Sequence, residues 1–344
     1  MYISDTIFGK LPDGRESRLF QVATKNGLQT SITNFGGIIT SIKMPDRNGV
    51  VKEICAGFEK FDDYLKPHPQ FGALIGRYAG RIAAGLFKID DTFYQLNLNN
   101  PDYQLHGGET GFHTRLWDYQ LEENEESASI KLNYKSLHLE EGFPGNLSAE
   151  VIYTIFDDNR LVIEYSAQTD QPTHVNLTNH AYFNLSGFEE DISSHCLTIN
   201  ADKFVELNEL MLPTGKFIDC EKSPFEFRNP VLLSERNIPY HIELDNCFVL
   251  QEVDTKSPLA ILHHNKSGRK INVWSTQPGI QVYSGNFLDG SLRGHNSQKY
   301  FRHSAICLET QHFPDSPNHL NFPSTLLKPK EKYHHIATFQ FCIE

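Results

Sequence analysis

Short runs of β-branched and aromatic residues, cut by polar turns roughly every 8 to 12 positions, constrain this chain's fold more than any other feature. In LSAEVIYTIFDDNRLVIEYSAQT, two runs rich in Val, Ile, Tyr and Phe flank Asp157-Asp158-Asn159-Arg160. Such residues suit a pleated, half-buried surface, and a polar turn between two such runs makes a hairpin. LFKIDDTFYQLNLN repeats the scheme around Asp90-Asp91, and LAILHHNKSGRKINVWS around Asn265-Lys266-Ser267-Gly268. In LQTSITNFGGIITSIKMPDRNG the break falls at Gly36-Gly37. Helical periodicity is weak: FEKFDDYLK (residues 58–66) reads as two turns and LLSERN as one. The lack of long amphipathic stretches and of alternating βα units disfavours a doubly wound α/β fold. The expectation is all-β, a large antiparallel sandwich or barrel with few short helices. No linker, fixed-period repeat or composition break appears, so a single domain over residues 1–344 is expected.

Composition narrows the partners. With 39% apolar and 22% charged residues, the chain has the profile of a globular protein. Its formal net charge of −12 and the absence of Lys/Arg runs disfavour nucleic acid or an anionic membrane as partner. The six cysteines form no CxxC pair, which suits reduced, mostly buried thiols rather than a disulfide framework or zinc knuckle. MYISDTIFGKLPDG places Asp5 and Pro12 where a signal peptide needs an apolar run, and no apolar stretch approaches the roughly 18 residues of a membrane span. A cytoplasmic location is expected.

The usual nucleotide and nucleophile signatures are missing: no phosphate loop, no dinucleotide fingerprint, no G-x-S-x-G elbow. Among 16 histidines none pair at the i+2, i+3 or i+4 spacings, and His263-His264 and His334-His335 would point to opposite strand faces. No local metal site follows. Five segments instead carry polar residues in apolar or Gly-rich context. GALIGRYAGRIAAG holds Arg77 and Arg81, either over a concave surface or on a solvated loop. LHGGETGFHTRLW places His106 before two glycines that allow close backbone approach to a ligand. VNLTNHAYFNLSG puts His180 in a run of strand character, as a proton-transfer group or a satisfied core histidine. ELDNCFVL has Asp245 ahead of an apolar run, and ICLETQHFPDSPN has Glu309 after one. If the last run alternates, Ile306 and Leu308 face the core while Cys307 and Glu309 face the other way. Together the five suit acid–base chemistry on a neutral polyhydroxylated ligand.

Taken in order, GRYAGRI, LHGG…GF…W, EGFPGNL, NLTNHAYFNL, LDNCFVL, PGIQVYSGNFL and LETQHFPDSPN resemble the aldose 1-epimerase (galactose mutarotase) family over nearly the whole chain. The resemblance implies a galactose mutarotase-like supersandwich and interconversion of the α and β anomers of free aldohexoses such as galactose and glucose. It makes Glu309 the base at the C1 hydroxyl and His180 the acid at ring O5. Arg81, His106, Asp245 and Gln281 match sugar-binding positions, and Tyr182 lies beside the acid. Gly80 stands where many relatives carry Asn, which removes a side-chain amide contact. His113 falls at a variable position and receives no role. No cofactor and no metal are implied; the partner is a small sugar, and the protein a monomer or homodimer. A relative acting on hexose 6-phosphates would need a cationic cluster that this acidic chain does not display. A non-catalytic sugar-binding module would not need Glu309 and His180 together, and a glycosidase would want two flanking carboxylates.

Overall fold

Alternation is clearest in the long hairpin. Strand Leu147–Phe156 buries Leu147, Ala149, Val151, Tyr153 and Ile155. Strand Arg160–Thr169 pairs with it antiparallel and buries Leu161, Ile163 and Tyr165. Asn159 takes φ +65° in the turn, a conformation that Asn tolerates better than most residues. The hairpin forms the middle of a nine-stranded sheet in the computed structural model, which describes residues 1–238, 241–251 and 257–344. On one side of the hairpin lie Ser127–Ser136 and then Asp118–Glu123. On the other lie Tyr333–Ile343, Arg269–Ser275, Ala260–His264, Cys196–Ile199 and Val231–Leu232.

A six-stranded sheet runs in the order Tyr182–Phe183, Ile306–Gln311, Gly279–Tyr283, Asp245–Val249, Lys203–Leu207, Pro213–Asp219. Its neighbours are paired antiparallel. A five-stranded meander covers residues Ile3–Lys10 to Val51–Glu53. The principal hydrophobic cluster joins the three sheets: Phe20 and Ile42 of the meander, Tyr153 and Ile163 of the large sheet, and Ile280, Val282, Ile306 and Leu308 of the six-stranded sheet. A second cluster with Phe71, Tyr182, Tyr283 and Cys307 lies against the other face of that sheet. Central strands of the six-stranded sheet are therefore covered on both sides. All six residues of Ile306–Gln311 and all five of Gly279–Tyr283 are buried.

The expected hairpins form, with boundaries shifted by a residue or so. The two helical turns read in residues 58–66 reduce to one, Phe61–Tyr64, which tucks both named residues into the second cluster. LLSERN forms the 3₁₀ turn Leu233–Arg236. All six cysteines are free thiols, four of them buried. No helix among the described residues is long and apolar enough to cross a membrane.

Candidate functional site

Three neighbouring strands place three polar side chains together. Glu309 lies directly across from Gln281, and Gln281 across from Cys247, two residues beyond Asp245. Ile306 and Leu308 enter the principal core and Cys307 the second cluster, as strand alternation requires. Glu309 thus projects from a strand whose opposite face is locked in apolar packing.

His180 arrives differently. It interrupts the strand character of its segment, sitting between Thr178–Asn179 and Tyr182–Phe183. Its N–H donates to the Ala73 carbonyl at 2.9 Å and its own carbonyl accepts from Gly72 N–H at 2.9 Å. Its ring stacks on Tyr182 (4.9 Å between centroids, 15°) and meets His106 edge-on at 5.2 Å. Nδ1 lies 3.5 Å from Cys307 Sγ.

Arg81 and His106 come from a small ladder in which Arg81–Ala83 pairs with Tyr103–Leu105. His106 follows that strand at φ +53°, and its N–H donates to the Gly80 carbonyl at 3.0 Å. Gly80 N–H returns a bond to His106 Nδ1 at 3.3 Å. Gly80 has φ +82°, and a Cβ there would come within 3.1 Å of Pro314, so a side chain would have to displace that ring.

All seven residues singled out as catalytic or sugar-binding line one cleft of about 270 Å³. That is close to the lower end, about 300 Å³, of usual small-ligand clefts and suits a monosaccharide better than a long oligosaccharide. Glu309 Oε1 lies 3.7 Å from His180 Nε2. Asp245 organises the adjoining part of the cleft: Arg81 Nη2 donates to Oδ2 at 3.0 Å and Gln281 Nε2 to Oδ1 at 2.6 Å. The Arg81 guanidinium also lies over the Tyr103 ring at 5.4 Å.

Burial controls the charges. It pushes the Glu309 carboxyl well above the ordinary carboxylate range; Asp245 adds to the rise and Arg81 opposes it. Burial also pulls His180 down to about 4, against a smaller opposing effect of a backbone hydrogen bond. His106 is held well below the usual imidazole range by burial, then by His180, Arg81 and His113. Burial thus acts against the charged form of both groups, the carboxylate and the imidazolium alike.

Ligand atoms of His106, His180 and Glu309 lie within 4.8 Å of one another, close enough to suggest a metal trio. The hydrogen bonding argues otherwise. A metal-bound imidazole normally donates its second N–H to an acceptor. Here Gly80 N–H occupies His106 Nδ1, which leaves the neutral ring with its proton on Nε2. His106 is thus set as a donor toward a ligand oxygen.

Two expectations change. Arg77 does not face the cleft: its guanidinium is buried and donates to the carbonyls of Pro144, Gly145 and Leu137 and to Ser136 Oγ. The glycines after His106 serve chain packing, since a Cβ on Gly107 would lie 2.1 Å from the Gly76 carbonyl oxygen. Sequence reading also missed cleft residues His68, Tyr283, Phe287 and Gln311. Period-two spacing from Gln281 and Glu309 would have found Tyr283 and Gln311. His68 and Phe287 sit outside the named strands and carry no such signal.

Known proteins match this chain along nearly its whole length. The family model described as aldose 1-epimerase matches residues 18–340. A galactose mutarotase of Rattus norvegicus is 41% identical over 344 residues, covering 99% of each chain. An aldose 1-epimerase of Escherichia coli (strain K12) is 33% identical over 342 residues, covering 97% of each. The crystal structure of an aldose epimerase homologue from C. elegans aligns with a TM-score of 0.89 at 30% identity, over 95% of this chain and 99% of that one.

Proposed function

The chain belongs to the aldose 1-epimerase family, and on that premise we propose that it interconverts the α and β anomers of free aldohexoses such as galactose and glucose. The observation that carries this reading is the buried Glu309–His180 pair, 3.7 Å apart in a cleft walled by fixed hydrogen-bonding groups. Glu309 takes the proton of the C1 hydroxyl while His180 delivers one to ring O5. The C1–O5 bond breaks and leaves an open-chain aldehyde. Rotation about C1–C2 presents the other carbonyl face, and the same proton transfers reversed close the ring as the other anomer.

One proton on the pair suffices for this cycle. The working form carries that proton on His180 Nε2 and leaves Glu309 as the carboxylate, so that acid and base stand ready together. A positioned acid or base contributes about 10² to 10⁴ in rate. Two acting together give about 10⁴ to 10⁸, or roughly 5 to 11 kcal/mol at 1.36 kcal/mol per decade. Arg81, His106, Asp245, Gln281 and Tyr182 hold the ring against both groups, so that little reorganisation remains at the moment of reaction.

The pH dependence of the rate tests the scheme. The active pair carries one proton, so the rate falls when it gains a second and when it loses its only one. The acid limb lies below the ordinary histidine value of 6.5, because burial holds His180 near 4. The alkaline limb lies above the ordinary carboxylate value of 4.5, because burial raises Glu309. Polarimetry on freshly dissolved α-galactose across the pH range should give this bell. A rate independent of pH on both sides would sink it.

A further inference from the structure

We propose that Gln311 binds the sugar's C2 hydroxyl and anchors the C2 end of the bond about which the opened sugar rotates. The assignment rests on the acid–base reading of Glu309 and His180 above, and two observations carry it.

The first is an unmet hydrogen-bonding capacity. Gln311 lines the cleft with 1% of its surface exposed, yet neither Nε2 nor Oε1 has a partner among the described residues. A carboxamide offers two donor hydrogens and an acceptor oxygen, and burying them unmet is costly. Among the other glutamines of the cleft, Gln281 already commits its amide N–H to Asp245. The Gln311 side-chain amide is bonded to nothing among the described residues and is free to meet a ligand that both donates and accepts. A sugar hydroxyl does both.

The second is its place in the strand. Cys307, Glu309 and Gln311 alternate onto one face of Ile306–Gln311, spaced by about 6.6 to 6.8 Å. His180 stands at the Cys307 end, held 3.5 Å from that thiol. Gln311 stands at the opposite end, with Glu309 between. A pyranose has the same order about its anomeric carbon: ring oxygen, then C1 with its hydroxyl, then C2. With His180 at O5 and Glu309 at O1, the ring continues from C1 toward Gln311, and the first hydroxyl met is that on C2. Once C1–O5 breaks, C1 must turn through a rotation about C1–C2 while the rest of the sugar stays in place. A hold on the C2 hydroxyl fixes the stationary end of that bond. Galactose and glucose share the configuration at C2, so this contact serves both.

The test compares wild type and Gln311→Met, which keeps side-chain length and removes the amide. kcat/KM is measured on galactose and on 2-deoxygalactose, each divided by that sugar's uncatalysed rate. For wild type, loss of the C2 hydroxyl should lower the ratio about tenfold or more, as expected for one hydrogen bond to a buried partner. Gln311→Met should lose about tenfold or more on galactose and less than about twofold on 2-deoxygalactose. Equal losses of the variant on both sugars would overturn the assignment. So would a wild type that handles both sugars equally, a result that decides the matter even if the variant does not fold. Failure of the acid–base reading looks different: Glu309→Gln would then keep full activity whichever way the 2-deoxy comparison falls.

Discussion

Asp245 has more influence on the cleft than its position before an apolar run suggests. Its two oxygens hold Arg81 and Gln281, and its charge reinforces the effect of burial in raising the Glu309 carboxyl. Replacing it with Asn removes the charge and keeps the shape. The sign follows directly: without Asp245 the Glu309 carboxyl gives up its proton more easily, so the alkaline limb of the rate profile moves to lower pH. The lost charge-assisted bonds, about 1.5 to 3 kcal/mol, should also weaken kcat/KM by roughly 10- to 150-fold. Polarimetric rates across pH for Asp245→Asn check both effects, and an unmoved alkaline limb would show that Asp245 does not tune Glu309. Glu309, His180 and Asp245 were each legible in the sequence only as members of an ordered set of motifs. Locally, a histidine among Asn and aromatics or an aspartate before a strand has a plain structural explanation. Gln311 shows the converse. Its signal is local: Gln311 lies two positions from Glu309, on the same strand face.

At the scale of elements, hairpins in the large sheet were legible because one face is buried and the other wet, as in Leu147–Phe156. The six-stranded sheet follows another rule. GIQVY and ICLETQ are buried throughout, so no polar face marks their orientation. Here polar residues occur because they line a cleft between two packed layers rather than because they meet solvent. Single-turn helices and two-residue strands, such as Thr178–Asn179 beside His180, are too short for any period to register. Their conformation comes from distant partners, as in the bonds of His180 with Gly72 and Ala73. The pairing of Gln281 with Glu309 and of Cys247 with Gln281 is likewise non-local, and only tertiary structure brings Arg81 onto Asp245.

The whole molecule carries an unusual load of buried imidazoles. Burial pulls His68, His174, His180 and His312 down to about 4. It pulls His113, His195 and His335 down to about 3. Each is neutral in the folded protein at pH values where the unfolded chain, with histidines near 6.5, already takes up protons. Below that value the unfolded state binds more protons, so stability is fully present above about pH 6.5 and is lost as pH falls toward 4. One such histidine contributes a slope of up to about 1.4 kcal/mol per pH unit, and several together make the loss steep. Acidification also reduces the net charge of −12, which by itself would favour the compact state, so the two effects have opposite signs. The histidines should win: the melting temperature measured by calorimetry should fall markedly between pH 6.5 and 5. A melting temperature that holds or rises over that interval would show that these rings find partners for their protons in the fold.

The central claim is that Glu309 is the base of an anomer-interconverting pair, and Glu309→Gln tests it most directly. The substitution keeps the shape of the side chain, and polarimetry follows α-galactose to equilibrium. The account predicts a rate lower than wild type by at least about 10²-fold, the contribution of one positioned base. Equilibration at the wild-type rate by a folded variant would contradict it.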